Sequence, residues 1–259
     1  MSFISILLKY YTIMKVLGID IGGTGIKGVP VNLETEEYIG ERFRIPTPEK
    51  STPKAISQCV QKLVDHFNWT GPVGVGFPTV IVNGKAMGYG NLSKKWLGVQ
   101  INELFEKQTG LPFTVINDAD AAGLAEMTYG AGVGLKGLVV VITIGTGIGS
   151  GFFYNGTLIP NFELGRMIYK KKPIEQYAAN SARKRYGLTY EEWAVRFNFF
   201  LDYVENMCTP NHYILGGGIS KHIDEFEHVL RTKVPLVAAQ TKNKAGIIGA
   251  ARAAIIKDL

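Results

Sequence analysis

Apolar residues in this chain come in short runs bounded by glycine, threonine and charge, and these runs alternate with stretches of helical periodicity. Short Val- and Ile-rich runs read as buried strands, and apolar positions recurring every third or fourth residue read as helices. The first half predicts strands at 16–21, 26–32, about 38–45, 73–77 and 113–117. A helix is predicted over 52–68, where Ser51-Thr52-Pro53 sets a hydroxyl cap before a proline in the first turn, and another from Asn117-Asp118 through Thr128. The second half predicts strands at 137–144, 150–154 and 212–215, with helices near 173–186, 189–207, 220–231 and about 244–257. Such alternation implies two α/β domains around a central cleft.

Two segments are versions of one another. Val16-Leu-Gly-Ile-Asp20-Ile-Gly-Gly-Thr24-Gly-Ile-Lys27 and Val139-Val-Val-Ile-Thr143-Ile-Gly-Thr-Gly147-Ile-Gly-Ser150 each run from an apolar strand into a Gly/Thr turn and out into extended residues. A hairpin with little side chain at its tip exposes backbone N–H groups, which hold anions such as phosphate. Two of them in a duplicated chain outline a phosphotransferase gripping a polyphosphate from opposite sides. Gly145, Gly147, Gly149 and Gly151 also invite a dinucleotide-binding reading, but that motif needs a helix directly after its glycines. Here Phe152-Phe153-Tyr154 follows, and then Asn155-Gly156, a hairpin signal.

Composition narrows the class. With 259 residues, 46% hydrophobic and 19% charged, the chain has the make-up of a globular protein with sizeable cores. It has no apolar run long enough for a membrane helix, and its two cysteines, Cys59 and Cys208, form no metal-type pair, which suits a reducing cytoplasm. The segment Ser2 to Met14 is apolar with one basic residue, Lys9, and lacks signal-peptide features. It is expected to be an extension, with Met14 competing with Met1 as the translation start. The net charge of +6 favours polyanions, and its basic residues crowd at Lys170-Lys171-Lys172 and Arg183-Lys184-Arg185. No nucleic-acid-binding pattern accompanies them, so nucleic acid is not an expected partner.

Phosphoryl transfer needs an anion cradle, a cation and a carboxylate base. Asp20, at the end of the first strand, is placed to hold a hydrated magnesium ion bridging the phosphates, or simply to cap the turn. Asp118, at a strand-to-helix switch among small residues, is in the right kind of place for a general base, or for an N-cap. Asp120 reads as structural, favoured at a helix start by the macrodipole. Leu215-Gly-Gly-Gly218-Ile-Ser220 forms a further strand–Gly turn–helix unit able to receive a nucleotide against bare backbone.

These motifs together resemble the ROK sugar kinases of the actin-like, hexokinase-like ATPase superfamily, most closely the polyphosphate glucokinases. The resemblance runs from about Val16 to the C-terminus and includes Gly74-Val-Gly-Phe-Pro78, Asn117-Asp118-Ala-Asp-Ala-Ala-Gly-Leu-Ala-Glu126, Tyr129-Gly-Ala-Gly132, Asn155-Gly-Thr-Leu-Ile-Pro160 and Glu163-Leu-Gly165. It implies domains at 1–117 and 118–243, with 244–259 as a helix packing back on the first. By position, Asp118 would be the base for a hexose 6-hydroxyl. Asn91, Asn117, Glu163, Arg166 and Glu175 would bind the sugar, expected to be glucose. Gly22, Gly23, Thr24, Lys27, Thr146 and Gly147 would line the phosphates of ATP or inorganic polyphosphate, and Gly217 and Gly218 the adenosine side. The resemblance also implies magnesium at Asp20, a homodimer, and no zinc, since the zinc-binding cysteine cluster of many relatives is absent. Arg166 stands where the family has histidine, and arginine is longer, permanently charged and a donor only. That leaves open a kinase for another hexose, or a catalytically weak or silent sugar-binding protein.

Overall fold

The computed structural model describes residues 15–256, so the segment 1–14 and its expected role as an extension lie outside the described residues. The chain forms two compact units, one running to Ala125 and resuming at Lys244, the other spanning Glu126–Asn243.

The first unit contains β1 (Lys15–Ile21), β2 (Ile26–Asn32), β3 (Glu37–Tyr38), β4 (Phe43–Ile45), α1 (Pro53–His66), β5 (Val73–Phe77), the small hairpin β6 (Ile81–Val82) and β7 (Lys85–Ala86), α2 (Ile101–Thr109), β8 (Phe113–Asn117) and the start of α3 (Asp118–Tyr129). Its sheet has the order β3-β2-β1-β5-β8, with β4 also paired to β2. β1 and β2 are antiparallel, whereas β1, β5 and β8 are parallel, so Asp20, Gly76 and Asn117 lie at the carboxyl ends of adjacent strands. That is where ligands bind in open α/β sheets. The single strand expected at 38–45 is two short ones, because Gly40 at φ +89° turns the chain between separate pairings on β2.

The second unit contains β9 (Leu138–Ile144), β10 (Ile148–Tyr154), β11 (Thr157–Ile159), β12 (Ile168–Tyr169), β13 (Lys172–Pro173), α4 (Glu175–Ala178), α5 (Asn180–Arg185), α6 (Tyr190–Met207), β14 (His212–Gly216) and β15 (Leu236–Ala238). Its sheet, β11-β10-β9-β14-β15, repeats the first: an antiparallel hairpin followed by parallel strands. The helix expected near 173–186 is broken. Pro173 pairs with Ile168 in a hairpin, and Ala179 is extended at φ −74°, ψ 162°. The helix expected at 220–231 is instead a pair of 3-10 segments, Gly218–Glu225 and Glu227–Val229. Between them Phe226 leaves helical geometry to bury its ring 5.1 Å from that of Trp193. α6 fits its expected span and opens with a capping box between Thr189 and Glu192.

The last helix, α7 (Ala245–Ala253), belongs to the first unit and lies against β1 and β5. Strand alternation explains its seat. Leu17, Ile19 and Ile21 face a core shared with Ile56, Val60 and Leu63 of α1 and with Phe105 of α2. Gly18 and Gly74 lie where Ile247 and Ala250 press on the sheet, and a Cβ at Gly74 would overlap the Ala250 carbonyl. Glycine inside a strand here marks a close backbone approach. Gly74→Ala is therefore expected to lower stability by about 2 kcal/mol through overpacking. Denaturant unfolding checks this, and an unchanged midpoint would mean that α7 is not seated on β5.

Candidate functional site

The first predicted loop is a tight turn between β1 and β2. Gly22 donates its N–H to the Gly25 carbonyl at 3.0 Å, which leaves the N–H groups of Gly23 and Thr24 outside the closing bond. Two side chains from further along the chain brace it. The Thr47 hydroxyl donates to the Gly22 carbonyl at 2.5 Å, and Arg44 Nη2 donates to the Thr24 carbonyl at 2.8 Å. Asp20 and Lys27 face each other across the hairpin and form an ion pair of 3.4 Å, both partly exposed. Asp20 also lies beside Gly246 at the start of α7.

Asn117 ends β8 and Asp118 begins α3. The Asn117 side-chain oxygen accepts from the N–H groups of Ala119 and Asp120 at 2.8 and 3.2 Å, so Asn117 caps this helix and fixes where Asp118 leaves the strand. Asp120 is buried, in keeping with a structural role. Asn91 stands next to the first loop: a Cβ on Gly23 would lie 3.3 Å from that of Asn91. Asn91 also lines a pocket of about 450 Å³ with Lys50, Ser51, Thr52, Ser93 and Lys95. The pocket's two walls are tied together, because the buried Trp96 donates its indole N–H to the Ser51 carbonyl at 2.8 Å and Ser93 N–H donates to the Ser51 hydroxyl at 3.1 Å.

In the second unit the loop between β9 and β10 closes in the same way, with Gly145 N–H donating to the Gly147 carbonyl at 3.0 Å. The N–H of Thr146 stays outside that bond. Ser181, at the start of α5, grips the loop twice: its hydroxyl donates to the Thr146 carbonyl at 2.6 Å and its N–H to the Gly145 carbonyl at 3.2 Å. The break before α5 is what lets Ser181 reach it. Glu175 accepts from Ile148 N–H at 3.2 Å, and a Cβ on Gly147 would push against its carboxylate, so a side chain here would displace Glu175 from the loop. Gly217, at φ +78°, packs on Ile144, the residue that leads into the loop.

Glu163, Arg166 and Glu175 gather on the same unit. Burial pushes the Glu163 carboxyl above its ordinary range, the Arg166 guanidinium opposes that shift, and the Glu175 charge adds to it. Arg166 Nε lies 3.2 Å from Glu163, so the arginine is held as an ion pair over a half-buried carboxylate. The first unit thus holds Asp20, Gly22, Gly23, Thr24, Lys27, Asn91, Asn117 and Asp118. The second holds Thr146, Gly147, Glu163, Arg166, Glu175, Gly217 and Gly218.

Sequence reasoning missed the braces Arg44, Thr47 and Ser181, since nothing local marks a residue that acts on a distant loop. It also gave Glu126 no role. That buried carboxylate accepts from the N–H groups of Ala131, Gln240 and Thr241 at 3.0, 3.0 and 2.7 Å, and from the Thr241 hydroxyl. It joins two distant stretches of the second unit. Among the described residues no cluster of three or more His, Cys, Asp or Glu side chains could cage a metal ion, and no helix is long and apolar enough to cross a membrane.

Residues 16–161 match the model of the ROK family. The chain is 43% identical over 239 residues to the polyphosphate glucokinase of Mycobacterium tuberculosis, covering 92% of this chain and 90% of that one. It is 42% identical to the Mycobacterium leprae polyphosphate glucokinase, over 91% of this chain and 73% of the other. Among solved structures, the inorganic polyphosphate/ATP-glucomannokinase of Arthrobacter sp. strain KM superposes with a TM-score of 0.86 at 45% identity, covering 92% of this chain and 97% of that one. The two α/β units have the actin-like ATPase fold of the sugar kinases, and the chain belongs to the ROK family.

Proposed function

We propose that this chain is a hexose kinase that transfers a phosphoryl group from inorganic polyphosphate or ATP to the 6-hydroxyl of a hexose, with glucose as its first substrate. The observation that carries the reading is the pair of matched hairpins, each closed by one glycine N–H bond that leaves tip amides for phosphate. It stands in a chain 43% identical over most of its length to a polyphosphate glucokinase.

In this reading Gly22–Thr24 and Thr146–Gly147 hold the donor's phosphates, and Lys27 spreads their charge. Gly217 and Gly218 receive the adenosine side when ATP is the donor. Asp118 takes the proton of the acceptor hydroxyl as its oxygen bonds to the terminal phosphorus and the bond to the next phosphate oxygen breaks. Asn117 keeps Asp118 at the strand end through the helix cap. Asn91, Asn117, Glu163 and Glu175 orient the sugar. The donor set fits magnesium: one carboxylate, Asp20, is enough for an ion whose remaining ligands are phosphate oxygens and water. Magnesium would supply further charge neutralisation on the phosphates.

A sugar range different from that of glucose-specific enzymes is favoured by one contact, the Arg166–Glu163 ion pair of 3.2 Å. A guanidinium on that carboxylate competes with any sugar hydroxyl that would use it, and the glucomannokinase relative supports acceptance of more than one hexose.

Turnover measured with a panel of hexoses and both donors tests the proposal, and no phosphorylated hexose with either donor would overturn it. Asp118→Asn should lower kcat by ~10²–10⁴ while sugar binding holds, because the amide keeps the shape but cannot take the proton. Near-normal turnover in that variant removes Asp118 from the chemistry.

The ion pair gives a second expectation. Burial raises Glu163, so its ionisation costs stability as pH climbs through its folded pKa, and Arg166 softens that cost. Arg166→Met should therefore raise the Glu163 midpoint further and steepen the loss of stability with rising pH. Carbon-13 titration of the carboxyl checks this, and an unmoved midpoint would show that Arg166 does not act on Glu163 in solution.

A further inference from the structure

The second unit carries cations that none of the contacts above uses. The turn between β12 and β13 has Lys170 and Lys171 at φ 48° and 66°. Two-residue hairpin turns of this hand are normally filled by Asn and Gly, because a side chain is strained there. This chain instead places two lysines at the tip and a third, Lys172, directly after them.

Aromatic rings hold the first of these lysines and link the turn to the end of α5. The Lys170 ammonium lies 5.2 Å from the Tyr169 ring centre and 5.6 Å from that of Tyr177. Arg196 of α6 lies over the same Tyr177 at 4.9 Å and over Tyr186 at 4.5 Å. Tyr186 directly follows Lys184 and Arg185 at the end of α5. That helix begins at the second phosphate loop, where Ser181 bonds Thr146 and Gly145. Lys184 and Arg185 lie one turn further on, over the helix face that Ser181 occupies. The surface therefore leads away from the loop.

Its cations are available. Among the described residues, Lys170, Lys171, Lys172, Lys184 and Arg185 form no ion pair. Arg183 is different, being spent on Asn180 at 2.9 Å, the Leu188 carbonyl at 3.0 Å and the Tyr190 ring. Glu175, the nearest carboxylate along α4, is engaged with Ile148 N–H. Tyr177 is approached by two cations, which disfavours the base stacking that single-stranded nucleic acid relies on.

We propose that this surface, Lys170–Lys172 with Lys184 and Arg185, is a subsite for the distal phosphates of an inorganic polyphosphate chain whose reacting end lies at the second loop. This rests on the reading of the chain as a polyphosphate-using kinase. ATP, with its short phosphate chain, would not reach these cations, whereas a long polyanion gains from each and loses that gain as salt rises.

Two variants of the full chain test it: Lys170→Asn with Lys171→Gly, and Lys184→Gln with Arg185→Gln. Equilibrium binding is measured with labelled long-chain polyphosphate, tripolyphosphate, ATP and single-stranded DNA, beside KM for each donor. Each variant should weaken long-chain binding by about tenfold and flatten its salt dependence, leaving KM for ATP within about twofold. The hairpin variant should also gain in Tm, since its turn is relieved. Unchanged long-chain binding, equal losses for ATP and tripolyphosphate, or DNA bound as tightly and lost in parallel would each overturn the subsite. A wild-type chain that phosphorylates hexoses from ATP but binds no polyphosphate sinks the subsite and spares the kinase. Long-chain binding lost in both variants, without any hexose turnover, spares the subsite and sinks the kinase.

Discussion

A hairpin that must present bare backbone at its tip constrains everything built around it. Each Gly/Thr turn here spends one amide, that of Gly22 or Gly145, on closing itself and keeps the next ones out of the bond. Such a turn has little side chain of its own to hold its shape, so rigidity has to be imported. Arg44 and Thr47 supply it in the first unit, Ser181 and Glu175 in the second. The bracing comes through carbonyls and through the amide of Ile148, which leaves the tip amides of Gly23, Thr24 and Thr146 untouched. Preorganised N–H groups of this kind bind phosphate with little loss of conformational freedom.

The same economy explains which parts of the molecule were legible in the sequence. Largely buried strands show as short, mostly apolar runs, so β1, β2, β5, β8, β9 and β14 fall close to their expected spans. α2 was invisible because Gln100 gives it no side-chain cap and only Ile101 and Phe105 are buried. The helices expected at 173–186 and 220–231 broke for tertiary reasons: Ser181 has to meet a loop, and Phe226 has to enter a core shared with Trp193. Propensity along the chain carries neither instruction. The glycines of β1 and β5 did carry one, since Gly18 and Gly74 mark where α7 lies against the sheet.

The candidate site was legible as motifs rather than as contacts. Asp20, Asn117, Asp118 and the glycines stand at strand ends, where the sequence pattern alone locates them. Their working partners do not. Lys27 faces Asp20 only through hairpin register, and Arg166 meets Glu163 through a short 3-10 turn, Leu164–Arg166. That ion pair makes Arg166 an electrostatic question about a half-buried carboxylate.

The central claim of the proposed function is that each matched loop binds donor phosphate through its backbone amides. Backbone amide shifts of the labelled protein, followed by NMR while a non-hydrolysable ATP analogue is added with magnesium, test it most directly. The account predicts that Gly23, Thr24 and Thr146 move together, along one binding curve. Shifts confined to a single loop, or loops that saturate at different concentrations, would contradict it.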